Sequence, residues 1–190
     1  MLGSPDALLR YEDYAGWTPD DRLAAANVMA HRASMEPRFR HLAASILGGQ
    51  PPFGESRFCP NIPKKAGRCF ARWIRSSITY LQETPGVEIL QGPVTTLATR
   101  VGDCDDVAIL WQTLMLSAGL PANTVGVANR STPDDYYHAV VYDAGTGRHF
   151  ELSCDRRYGG HGNRSEVFTV PFGSVTVTVD PMSGARGVWD

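Results

Sequence analysis

The chain lacks any apolar stretch approaching the ~18–20 residues needed to span a bilayer, so a membrane-spanning helix is not expected. It lacks basic excess as well. Lys and Arg number 18 against 20 Asp and Glu, for a net charge of −2, which leaves no electrostatic footprint for nucleic acid or an anionic membrane. The N-terminal MLGSPDALLRYEDY has no basic stretch followed by a long apolar core. No secretory signal is therefore expected, and the chain should be cytoplasmic when made. Cysteine is scarce: Cys59, Cys69, Cys104 and Cys154, with no CxxC pair, so a zinc site has weak support. Without a signal peptide, free thiols are the default expectation. A Cys59–Cys69 bridge is the alternative for a chain that ends outside a cell. There is no D-x-D-x-D-G calcium loop, no internal repeat and no low-complexity segment, and nothing calls for a cofactor.

What is present is ordinary globular material: 190 residues, 43% hydrophobic, enough for one domain with a core and an appended arm. Thr18-Pro19-Asp20-Asp21 is a helix start, with Thr18 as cap and Pro19 at the first helical position. That helix should run to about Met35, because Pro37 restricts the residue before it. A second helix through FRHLAASIL should stop at Gly48-Gly49. Residues 49–63 are rich in Pro and Gly and read as a linker. In KKAGRCFARWIRSSITYLQ, Phe70, Trp73, Ile74, Ile78 and Leu81 recur at helical spacing, leaving Arg68, Arg72 and Arg75 for a solvated face.

After residue 103 the pattern is that of a helix with an apolar stripe of Val107, Leu110, Trp111, Leu114 and Ala118, ended by Gly119 and Pro121. The period then changes. TVGVAN, YHAVVYD, HFELSCD, SEVFTV and SVTVTVD are short β-branched runs between turn residues, and DAGTGR reads as a hairpin loop. Helices first and antiparallel strands afterwards make the class α+β.

The chemistry concentrates in VGDCDD. Asp103 is a natural N-cap, Asp106 three residues on completes a capping box, and Cys104 takes the first helical position. A helix N-terminus stabilises a thiolate and offers free amides to an oxyanion. Three aspartates oppose the thiolate, since like charge raises its pKa. Asp103 and Asp106 should serve the helix start, and Asp105 should face solvent or Arg100. A nucleophilic thiol also needs a histidine, itself oriented by a third group. Of His31, His41, His138, His149 and His161, His138 alone lies inside an expected strand. Glu151, Ser153 and Asp155 share one face of the next strand. The residues alone leave open whether Cys104 is a nucleophile or a buried structural cysteine, and whether His138 is a base or a plain strand residue.

Three phrases together go further: ITYLQETPGVEILQGPVTTL, then RVGDCDDVAILWQTLMLSAGLPA, then YYHAVVYD closing with HFELSCD. Over roughly residues 64–158 they resemble the transglutaminase-like superfamily of papain-type folds, in particular members carried by bacteriophages and prophages. The resemblance implies a papain-like/transglutaminase-like core in which a cysteine-bearing helix packs on an antiparallel sheet. It implies Cys104 as nucleophile, His138 as base and Asp155 as orienting acid. The family usually closes with a tryptophan and then Leu-Asp-Pro. Here Phe150 replaces the tryptophan, Asp155 falls two residues late and the proline is missing, which keeps Glu151 as an alternative acid.

The organisation expected is an N-terminal helical arm and linker over 1–55, a transglutaminase-like domain over 56–180 and a tail over 181–190. The function implied is cysteine-dependent acyl transfer on a peptide or carboxamide, as a peptidase, amidase or cross-linking enzyme, with a peptide or protein substrate and no cofactor. Gln91 is the nearest upstream candidate for a side-chain oxyanion donor, and Trp111 or Tyr137 should line the cleft. Two alternatives stand beside it. One is a structural or assembly component of a phage particle, contacting other virion proteins. The other is a metal module built from Cys59, Cys69, Cys154 and nearby histidines.

Overall fold

The computed structural model describes residues 8–10, 19–54, 59, 63–81, 89–129, 132–150, 152 and 166–168. The α+β class holds. The helices are α1 (Pro19–Ser34), α2 (Pro37–Leu47), α3 (Pro63–Ser77), α4 (Pro93–Thr99) and α5 (Cys104–Ser117). The strands are β1 (Leu8–Arg10), β2 (Thr79–Tyr80), β3 (Ile89–Gln91), β4 (Val101–Gly102), β5 (Ala122–Asn129), β6 (Thr132–Asp143), β7 (Arg148–Phe150) and β8 (Glu166–Phe168). The main sheet is antiparallel, in the order β7-β6-β5-β8. The expected segments over 174–180 and 181–190 lie outside the described residues.

α5 is the axis of the molecule. Every residue from Asp106 to Met115 is buried, so the single apolar stripe expected of this helix is replaced by burial on all sides. α1, α2 and α3 pack around it, and β5 and β6 close the remaining side. The polar residues inside this helix are consumed by a network that crosses three elements. Gln112 Nε2 donates to Asn27 Oδ1 of α1 (2.8 Å) and to Ala122 O (3.1 Å), while its Oε1 accepts from the Thr124 amide (3.1 Å) and hydroxyl (2.8 Å). Buried polar groups satisfied in this way fix one arrangement of the helices on the sheet. The N-terminal helices are thus bonded into the core that carries α5.

The helix expected to run through Leu81 ends at Ser77. Thr79 and Tyr80 pair in parallel with Val101 and Gly102, the Thr79 amide donating to Arg100 O and the Leu81 amide to Gly102 O. That pairing captures the β-branched end of the run and leaves Leu81 62% exposed, so it does not extend the apolar stripe. α4 went unforeseen. Its start is nonetheless legible, because Pro93 stands at the first turn, where no amide is needed.

The default of free thiols is overturned at two positions. Cys59 and Cys69 form a disulfide, which also removes them from a metal set. Both are buried, and the Cys59 amide donates to Leu47 O, so the bridge anchors the linker between the end of α2 and the middle of α3. Cross-linking a loop of this length stabilises by about 3 kcal/mol through the unfolded chain. Reduction should therefore lower the melting midpoint of the purified protein by several degrees. Peptide mapping without reductant should recover the linked Cys59–Cys69 pair. A midpoint indifferent to reductant would mean the pair carries no stability.

Candidate active site

The first turn of α5 is built as a reciprocal capping box. Asp103 is the N-cap and accepts from the Asp105 amide (3.3 Å), while Asp106 returns to the Asp103 amide (3.2 Å). Both roles are those expected from the sequence. Asp105 is half-buried and accepts from the Asp106 amide at 2.9 Å. Arg100, its suggested partner, lies over the Phe53 ring, 4.2 Å from the centroid.

Asp106 is almost wholly buried, and its carboxylate reaches out of the helix. Oδ1 accepts from the Gln91 backbone amide at 2.7 Å, and Oδ2 from the Gln91 side-chain amide at 2.6 Å. Gln91 Nε2 also donates to Val101 O at 3.4 Å. Both of its hydrogens are engaged inward, so Gln91 is not the free oxyanion donor the sequence suggested. Gly102 makes room for this arrangement. A methyl there would stand 2.8 Å from the Asp106 Cβ and 3.2 Å from its Oδ2. The glycine of GDCDD is thus a steric condition for the buried carboxylate.

Cys104 occupies the first position of α5 and is a half-buried free thiol. Its pKa is raised well above the ordinary value, first by desolvation and then by the charges of Asp103 and Asp105, with Asp106 adding to them. One influence works in the other direction: the nearby Ala139 backbone favours the thiolate. Burial pushes the Asp106 carboxyl up as well, as does the charge of Asp103, against the bonds from Gln91 and from the Asp103 amide.

Cys104 packs against the core cluster that includes Ala139 of β6, the chain neighbour of His138. His138 pairs across the ladder with Val127, and the register of β5 and β6 shifts immediately afterwards, between Val127 and Ala128. Bulges of this kind commonly re-aim strand residues beside active sites. The His138 and Tyr137 side chains, and Glu151 and Asp155, lie outside the described residues. Trp111 does not line a cleft. It has no exposed surface, its indole N–H donates to Gly67 O at 2.9 Å, and its ring stands 5.4 Å from that of Phe150. His149 lies apart, buried on β7 with its ring against Tyr142. Asp103, Cys104 and Asp105 offer three ligand atoms close together, but two of those groups belong to the cap and its first amides. Among the described residues, no helix is long and apolar enough to cross a membrane.

One family model matches the segment that holds this site. Residues 59–147 match the model of the transglutaminase-like superfamily. No curated protein matches the sequence. Among solved structures, a Cytophaga hutchinsonii protein named a "Putative Cysteine Protease" is similar at 16% identity and a TM-score of 0.45. The similarity covers 77% of this chain but only 48% of that one, so the chain spans about half its length. The matched segment begins at the disulfide, contains the capped cysteine helix and ends just past β6. Over residues 59–147, just under half its length, this chain is similar to the transglutaminase-like superfamily.

Proposed function

We propose that the protein is a cysteine-dependent acyl-transfer enzyme acting on a carboxamide or peptide bond. The observation that carries the reading is the position of Cys104: first turn of a capped, buried helix that packs on β6, with its side chain against the cluster containing Ala139, the neighbour of His138. In this reading His138 takes the thiol proton and later returns it to the leaving amine. Asp155, with Glu151 as the alternative, orients the imidazole. The Cys104 amide, which a helix start leaves without an intrahelical partner, helps to hold the oxyanion. The raised thiol pKa gives the base a purpose, since the resting sulfur is held protonated until a partner removes the proton.

A glutamine-containing peptide tests this directly. Ammonia release should depend on Cys104, and intact-mass analysis should trap an acyl-enzyme at that residue. A primary amine added to the assay separates the two fates. If it enters the product, the thioester passes to amines; if not, water is the acceptor. Should neither carboxamide nor peptide substrates ever acylate Cys104, the fold is being used as a scaffold.

A further inference from the structure

We infer that Asp106 is a positioning residue for the reaction, locking β3 to the first turn of α5 through Gln91 so that the Cys104 sulfur and its backbone amide are held in register. The inference rests on the reading of Cys104 as nucleophile and adds a residue to it.

A cap alone would need only the bond from Asp106 to the Asp103 amide. The carboxylate does more. It takes three donors, two of them from Gln91, a residue 15 positions upstream on another element. The Gln91 bonds are the short ones, at 2.7 and 2.6 Å, as expected of charge-assisted contacts. β3 is itself tied down, since Gln91 pairs with Leu8 of β1. Gly102 is kept bare so that the carboxylate fits beneath β4. Burying a carboxylate costs energy, and its negative charge also opposes the thiolate next door. A residue whose charge works against the nucleophile, yet which is held by three donors in the turn that carries it, is explained by what it aligns.

Charge and alignment predict opposite signs on replacement. Removing a carboxylate beside a thiol lowers the thiol pKa and favours its chemistry. Losing alignment slows only steps that need the oxyanion geometry, and an error near 1 Å costs about 10²-fold. Two probes of the full chain separate these. Iodoacetamide alkylates the thiolate by displacing iodide and forms no oxyanion. With p-nitrophenyl acetate, the thiolate attacks the carbonyl carbon through an oxyanion. A sulfur–carbon bond forms, the carbon–oxygen bond to the aryl group breaks, and p-nitrophenolate leaves with the electron pair.

Rates are read at Cys104 by peptide mass mapping in wild type, Asp106→Asn and Gln91→Met, and p-nitrophenolate release is compared between wild type and Cys104→Ala. In both Asp106→Asn and Gln91→Met, the ratio of acylation to alkylation should fall roughly 10- to 100-fold. Alkylation of Asp106→Asn should be no slower than wild type, with its pH profile moved to lower pH. Ratios within twofold of wild type, or both rates falling together, overturn the inference. If Asp106→Asn fails to fold, Gln91→Met, which keeps the carboxylate, decides alone. If wild type acylates no faster than Cys104→Ala, the nucleophile reading itself fails and takes the inference with it. That result is distinct from a wild type that acylates normally and variants that keep its ratio.

Discussion

Cys104→Ala is expected to abolish acyl transfer while leaving the protein folded. Removing the nucleophile of such a site costs on the order of 10⁶ in turnover. The structural loss should be small. The side chain is half-buried, and the helix start is held by Asp103 and Asp106, not by the sulfur. A cost near 1 kcal/mol would move the melting midpoint of a chain this size by about 2–4 °C. Wild-type alkylation at residue 104 should climb as pH rises, because the thiol is held above its ordinary range and its thiolate fraction grows through the alkaline region. Activity assays, calorimetry and a pH series of mass-mapped labelling check the three parts. Global unfolding of Cys104→Ala would identify the residue as core packing and remove the catalytic reading.

The largest expected effect on stability is at Trp111. The indole is wholly buried on α5, packs on Phe150 and meets the bare backbone of Gly67, where an added methyl would come within 3.2 Å of the ring. Trp111→Ala should cost about 3–5 kcal/mol for the cavity, and loss of the indole bond to the Gly67 carbonyl adds roughly 0.5–1.5 kcal/mol. That is a large part of the ~5–15 kcal/mol that holds an ordinary domain together. Trp111→Phe keeps most of the ring and loses only the N–H, so its cost should approach the smaller figure. Urea unfolding of both variants measures the difference. A Trp111→Ala protein within 1 kcal/mol of wild type would show that the indole is not the keystone between α3, α5 and β7.

Much of the chemistry is local and was legible in six letters. VGDCDD specifies a capped helix start with cysteine at its first position, because N-cap and capping-box bonds join residues two and three apart. The α+β order and the strand containing His138 followed equally from periodicity, and the ends of α1 and α2 from Pro37 and Gly48-Gly49. Tertiary structure decided what involves distant partners. Gln91 looked like a free amide until Asp106 claimed it across 15 residues. Trp111 looked like a cleft wall until three helices and the sheet enclosed α5. Ile78 to Leu81 continued a helical period until Thr79 and Tyr80 found β4. Cys59 and Cys69 carried no spacing signal, and only the fold of the linker onto α3 brings their sulfurs together. In each case the sequence determined which groups were available. Burial then decided which of them had to be paired, since a polar group removed from water takes the partner that the packing supplies.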